Sequence, residues 1–322
     1  MKILITGAGG AAAISVWKSL NQEHELYMAD IDPCAAGLYL VPAGQRKIIP
    51  RGDSSDFIPR LLDVCRLNQI ELLIPTVDVE LLPLAMHKTE FSKHNIQVPI
   101  SPEKALNICR DKFKLLKFCE DTGFTPSFFL LNKEGLKTKI NYPCFAKPRF
   151  GSGSNGVLTI YDKNALSQLP MDGSYLIQEL LPGQEFSVDV YIQSNGQALA
   201  SVPRLRLKID SGIAVACQTR IDQTLSMMAL EIAKKVGITY VANIQFKANS
   251  KGEYKLLEIN PRFPGTLPLT TAAGIDIPKL LIKDIHGELS DSALLPFKEL
   301  MVVRYWIEQF IPISDWQTLC QS

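Results

Sequence analysis

Period-two alternation is clearest in two stretches of the second half of the chain. In Val241-Ala-Asn-Ile-Gln-Phe-Lys247 it predicts a strand with Asn243 and Gln245 on one face and Ala242, Ile244 and Phe246 on the other. In Tyr254-Lys-Leu-Leu-Glu-Ile-Asn-Pro-Arg262 it sets Leu256, Glu258 and Asn260 against Lys255, Leu257 and Ile259. Asn249-Ser250-Lys251-Gly252 between them is turn chemistry, so an antiparallel hairpin is expected. Gln245, Glu258 and Asn260 then share a surface. One carboxylate with two amide oxygens suits a hard cation such as magnesium; a solvated hairpin face fits the same pattern. Pro261 ends the strand, and Arg262 stands just past it, where a guanidinium can hold a phosphoryl or carboxylate group.

The N-terminal pattern is different. An apolar strand over 2–6 leads into Gly7-Ala8-Gly9-Gly10, a helix to about residue 20, and a strand over 25–30 ending in Asp30. Such a turn either presents N–H groups to an anion, with Asp30 placed for a ribose, or packs the helix tightly on the strand. The dinucleotide reading would make the chain an oxidoreductase or sensor keyed to Gly7–Gly10. A helix over 57–68 and a strand over 70–75 follow; Asp78 and Glu80 at the carboxyl end of that strand are positioned for a ligand or as caps for the next helix, capping being the favoured reading, and 98–102 closes the unit.

Asp111 is placed to cap a helix running to about residue 122, stopped by Gly123. Lys112 in its first turn opposes the helix dipole unless an anion comes near. A strand over 142–147 ends in Lys147. It is followed by Gly151-Ser152-Gly153-Ser154-Asn155-Gly156 and a strand over 157–161, a strand–loop–strand unit suited to folding over phosphates. A strand over 175–181 precedes Pro182-Gly183, and Glu185, Ser187, Asp189 and Tyr191 alternate on the next. Asn195-Gly196 marks a hairpin. Arg204, Arg206 and Lys208 then share a strand face: a solvated edge, or a site in which Arg204 and Arg206 bind a carboxylate or acylphosphate. Residues 224–236 read as an amphipathic helix, 267–273 and 275–285 as two more, and 300–310 as a final strand.

Length allows two domains or three small ones in 322 residues, and a net charge of +1 gives no general pull toward nucleic acid or anionic membrane. Apolar runs fall short of the roughly 18 residues of a membrane span. Seven dispersed cysteines without a C-x-x-C pair fit free thiols in a reducing cytoplasm, and four histidines form no evident triad.

In order and spacing, six segments resemble the ATP-grasp superfamily, above all one synthetase unit of the carbamoyl phosphate synthetase large subunit and its small carboxylate–amine ligase relatives. They are Asp111-Lys112, Phe145-Ala-Lys-Pro148, Gly151 to Gly156, Gln178-Glu-Leu-Leu-Pro-Gly-Gln-Glu185, Asn243-Ile-Gln-Phe246 and Leu257-Glu-Ile-Asn-Pro-Arg262. The resemblance implies an α/β chain. A Rossmann-like pre-ATP-grasp domain would occupy 1–107. A two-lobed α+β ATP-grasp domain would occupy 108–290, with lobes at about 125–182 and 183–290, and a C-terminal strand and tail would fill 291–322. It implies ATP with magnesium, manganese being the alternative ion, small-molecule carboxylate and amine substrates, and a homodimer as a common state. By resemblance, Lys112, Lys147, Gly151, Ser152, Gly153, Ser154 and Gly156 meet the phosphates, Glu179 and Leu181 adenine, and Glu185 the ribose. Gln245, Glu258 and Asn260 hold metal; Arg262, Arg206 and Asn243 serve the chemistry. The implied reaction is an acylphosphate-forming C–N ligation. A single unit and no long C-terminal domain set carbamoyl phosphate synthesis and biotin carboxylation aside as expectations.

Overall fold

A computed structural model describes residues 1–139, 141–151, 156–210, 212–289 and 293–320. Three sheets carry the architecture. The first is parallel, with order β3-β2-β1-β4 from β1 (Lys2–Thr6), β2 (Glu25–Asp30), β3 (Arg46–Ile48) and β4 (Leu72–Ile74). Its strands are apolar on both faces because helices cover both. Ile3, Ile5 and Met28 pack into one core with α1 (Ala11–Leu20), while Leu4, Tyr27 and Ala29 pack into another with α2 (Phe57–Leu67) and α3 (Asp78–Met86). Three short helices, α4 (Lys88–Lys93), α5 (Glu103–Cys109) and α6 (Lys112–Phe118), lead to the second sheet.

That sheet has order β5-β8-β6-β7, all antiparallel, from β5 (Phe128–Leu130), β6 (Cys144–Pro148), β7 (Leu158–Ile160) and β8 (Tyr175–Glu179), with α7 (Lys163–Ser167) beside it. The third has order β13-β12-β9-β10-β11-β14. It is built from β9 (Glu185–Ile192), β10 (Ala198–Asp210), β11 (Ile213–Thr219), β12 (Tyr240–Ala248), β13 (Tyr254–Asn260) and β14 (Met301–Val303). Phe186, Val188, Val190, Ile244 and Phe246 bury one face against α8 (Gln223–Val236), whose Leu225, Ala229 and Ile232 return the contact. The other face of the same strands carries Ser187, Asp189, Asn243, Gln245 and Arg204. Helices α9 (Leu267–Ala272) and α10 (Ile277–Ile285) then pack back onto α1, and α11 (Ile313–Cys320) lies near β3. Among the described residues, no helix is long and apolar enough to cross a membrane.

Several expectations are corrected. The strand expected over 300–310 is only Met301–Val303. The helix from Lys112 ends at Phe118, with a tighter turn at Glu120–Thr122 before left-handed Gly123. The alternation assigned to β13 breaks at a bulge. Gln245 faces Glu258 but Phe246 faces Leu256, so Leu257 is the extra residue. Leu256 therefore turns into the core beside Ile259 instead of sharing a face with Glu258.

Candidate active site

A cleft of about 930 Å³ lies between the parallel sheet and the polar face of the large sheet. Gly7, Gly9, Gly10, Asp78 and Glu80 line it from one side; Lys112, Gly151, Glu258, Asn260, Arg262 and Gly265 line it from the other. Gly7 needs its left-handed backbone (φ +71°), and a side chain there would strike Val77 Cγ2 at 2.4 Å. Gly265 brings the segment after Arg262 beside α1, 3.4 Å separating the place of a methyl there from Ala11 Cβ, an ordinary contact. Asp30 completes the glycine turn itself: its Oδ2 accepts from Gly9 N (2.8 Å) and its Oδ1 from Asp32 N (3.0 Å). That is a structural role in place of the ribose contact.

Lys147 is the centre of charge. Its side chain crosses from β6 to the large sheet and donates to the Leu257 carbonyl (3.1 Å), the residue that the bulge sets out of the ladder. It is 6% exposed, and burial pushes its ammonium down to about 8, against the favourable field of Glu258. Lys112 Nζ lies 3.9 Å from Glu258 Oε2 and donates to the Gly151 carbonyl. Asp111 caps α6 through Phe113 N and Lys114 N, and its carboxylate also forks onto Arg149, whose hydrogen bonds hold it below the usual carboxylate range despite burial.

Across the hairpin, Gln245 faces Glu258 and Asn243 faces Asn260. Asn260 Nδ2 donates to Glu258 Oε1 (3.2 Å). Among the described residues no three His, Cys, Asp or Glu side chains cluster as ligands, so a metal here would rely on amide oxygens beside one carboxylate. That donor set fits a hard divalent ion. Arg206 NH1 bonds Glu185 (2.8 Å) and Gln245 Oε1 (3.1 Å), NH2 bonds the Gly212 carbonyl (2.7 Å), and its buried Nε has no partner among the described residues. Glu185 also lies 3.7 Å from Lys247.

Arg204 departs from expectation. It is 1% exposed and forks onto Asp189 (2.9 and 2.6 Å) with a further bond to Thr266, so it faces no substrate. Asp189, fully buried, also accepts from Asn243 (2.7 Å) and Thr270, and so fixes the Asn243 amide. The bulge between Arg206 and Lys208 removes Lys208 from the shared face. Arg262 forks onto Asp78, both bonds 2.8 Å, linking the two walls of the cleft. The cap expected from Asp78 is absent: Val77 is the N-cap and no side chain caps there, although Glu80 reaches back to the Val77 backbone.

Glu179 points away from Lys147, its Oε1 accepting from Ser127 N (2.9 Å), and Leu181 is buried. Gln178, to which the sequence pattern assigns no role, takes the Lys147 side: it faces Phe145 across the ladder, is buried, and its Oε1 has no partner among the described residues. Strand parity alone could have found it. Gly151 and Gly156 flank the expected phosphate loop; Ser152, Gly153, Ser154 and Asn155 lie outside the described residues.

Glu80 is 4% exposed beneath the glycine turn, accepts from the Thr6 hydroxyl, and is pushed up to about 7 by burial, which outweighs that hydrogen bond. A raised folded-state value favours the protonated carboxyl. Its contribution to stability is full below 4.5 and is lost as pH rises through about 7. Glu80→Gln is expected to match the parent in acid and to exceed it above neutrality by up to about 3 kcal/mol. Thermal midpoints measured against pH check this; parallel curves would contradict it.

Residues 172–309 match the family described as ATP-grasp in the biosynthetic pathway with Ter operon, and residues 3–99 match the PylC-like N-terminal domain. The D-alanine–D-alanine ligase of Thermotoga maritima is 35% identical over 107 residues, covering 31% of this chain and 35% of that enzyme. The 3-methyl-D-ornithine–L-lysine ligase of Methanosarcina mazei is 23% identical over 181 residues, 54% of this chain and 47% of that one. These matches thus span about a third to a half of the curated relatives. The biotin carboxylase structure from Campylobacter jejuni superposes with a TM-score of 0.73 at 19% identity, over 90% of this chain and 72% of that one, which speaks for the fold. Sheet order and the superposition agree on the α/β architecture. Residues 172–309 thus carry an ATP-grasp family match behind a PylC-like N-terminal domain.

Proposed function

We propose that this chain is an ATP- and magnesium-dependent ligase that joins a small carboxylate to an amine through an acylphosphate. The observation that carries the reading is the convergence of Lys112 and Lys147 on Glu258 at one end of a cleft whose other wall is the Gly7–Gly10 turn. ATP would lie between the two antiparallel sheets, its phosphates against Lys112, Lys147 and the loop begun by Gly151. Gln245, Glu258 and Asn260 would hold magnesium, which neutralises phosphate charge when bound. The substrate carboxylate attacks the γ-phosphorus and breaks its bond to the β-phosphate oxygen, releasing ADP. Attack by the amine on the acyl carbon then expels phosphate, and the amine proton passes to solvent. Arg262 and Arg206 stabilise the charge that moves between these oxygens, so positioning and electrostatics supply the catalysis. The amine would enter from the Gly7–Gly10 side. Seven free thiols fit a reducing cytoplasm.

Phosphate release from ATP across a panel of amino acids, short peptides and sugar acids, each paired with amines, tests the reading. Release should require magnesium and a carboxylate, and Mg-ATP or Mg-ADP should raise the thermal midpoint while NAD(H) does not. Stabilisation by NAD(H) alone would overturn it.

A further inference from the structure

The parallel-sheet wall of the cleft holds a buried carboxyl that the ligase chemistry leaves unused. Asp30, Asp53, Asp78 and Glu80 all line that wall. Three of them are engaged. Asp53 pairs with Arg51 (2.9 Å), Asp78 forks onto Arg262, and Asp30 spends its two oxygens on the N–H groups of Gly9 and Asp32. Glu80 makes no ion pair among the described residues. Its partners there are neutral, the Thr6 hydroxyl and the Val77 backbone, although it is almost fully buried. Thr76 in turn donates to the Thr6 carbonyl (2.8 Å), and its hydroxyl lies directly under Gly7, where an added methyl would stand 2.8 Å from it. The carboxyl is thus fastened beneath the Gly7–Gly10 turn at the edge of the cleft. A buried carboxylate is ordinarily paired with a cation. Here that cation has to come from the occupant of the cleft.

We propose that Glu80 is the base that takes a proton from the amine substrate, which arrives as an ammonium ion; the assignment rests on the ligase reading. The Glu80 carboxylate removes one proton, and the freed nitrogen lone pair attacks the acyl carbon of the acylphosphate. The bond from that carbon to the phosphate oxygen breaks, and phosphate leaves with a second proton from the nitrogen. One proton thus ends on Glu80 and one on hydrogen phosphate, and Glu80 later returns its own to solvent. Burial penalises both an ammonium and a carboxylate, so transfer to a neutral pair relieves both. Burial, reinforced by the carboxylates of Asp30 and Asp78, also pushes the Glu80 carboxyl up to about 7, where it can take and return a proton near neutrality.

Hydroxylamine is the probe, because it is largely unprotonated at neutral pH and attacks an acylphosphate without help from a base. Each carboxylate of the panel is offered to the full chain with Mg-ATP and either hydroxylamine or the panel's amines. Glu80→Gln, expected to be at least as stable as the parent at neutral pH, should lower amide formation about a hundredfold or more, while hydroxamate formation falls far less. The parental amide rate should rise with pH through about 7; in the variant the rise should move to the more alkaline ionisation of the amine itself. Equal losses with both nucleophiles would make Glu80 a structural residue and overturn the proposal. An unimpaired amide rate, or a rise still centred where the parent has it, overturns it as well. A parent that makes neither product defeats the ligase reading, and this proposal with it, a result distinct from any loss confined to the variant.

Discussion

Glu258→Gln is expected to lower magnesium-dependent phosphate release about a thousandfold or more while leaving the fold intact. Glu258 is the only carboxylate of the proposed metal set, and the remaining oxygens, from Gln245 and Asn260, are neutral. A neutral amide at its position removes the charge that holds a divalent ion against the neighbouring ammonium groups of Lys112 and Lys147. The volume is unchanged. The substitution gives up a long ion pair to Lys112 (3.9 Å) and weakens one hydrogen bond from Asn260 (3.2 Å), both at a partly exposed side chain, where such bonds contribute little. Steady-state phosphate release with a magnesium titration, beside a thermal melt, checks both halves. Full activity in the variant would sink the metal assignment.

Lys147→Met is expected to separate stability from function most sharply. Burial lowers the ammonium from 10.5 to about 8, so the charged form is disfavoured in the folded protein. The unfolded chain binds more protons between those values, and stability from this group rises as pH climbs from about 8 toward 10.5. At neutral pH the full penalty is in force, about 3 kcal/mol. Methionine removes it but leaves the Leu257 carbonyl without its donor, at a cost of about 1–2 kcal/mol. The net expectation is a gain of about 1–2 kcal/mol at neutral pH that turns into a loss of about 1–2 kcal/mol in strong alkali, where the neutral amine still donates to the carbonyl. Affinity for Mg-ATP falls at the same time, because an anion in the cleft would have been held by that charge. Urea midpoints against pH and calorimetric titration with Mg-ATP measure the two effects. A variant less stable than the parent at neutral pH would mean that the ammonium is better solvated than its burial implies.

Much of this was legible along the chain. The first strand, glycine turn and helix fall where an apolar run meets Gly7-Ala8-Gly9-Gly10. The hairpin of Asn243 to Arg262 forms where period-two alternation brackets a turn, and Asp111 caps the helix of Lys112 as its side chain predicts. Errors arise where one residue changes parity. The bulge at Leu257 reverses Leu256 and frees the carbonyl that meets Lys147, and no propensity signals it. Likewise Glu179 reads as the polar end of its strand, yet the face toward Lys147 belongs to Gln178.

The sequence by itself determined local matters: which segments are strands or helices, where their turns fall, and which residue types could meet phosphate or a hard cation. These follow from side-chain period and backbone preference, which act over a few residues. Only the tertiary structure decided which charges are available. Arg204 and Arg206 sit two residues apart on one strand, yet Arg204 is closed by buried Asp189 while Arg206 lies against Glu185 and Gln245. Asp78 reads as a helix cap and is instead the partner of Arg262, 184 residues away in sequence. Pairing and desolvation are set by whatever the fold brings within a few ångströms, and no local pattern carries that information.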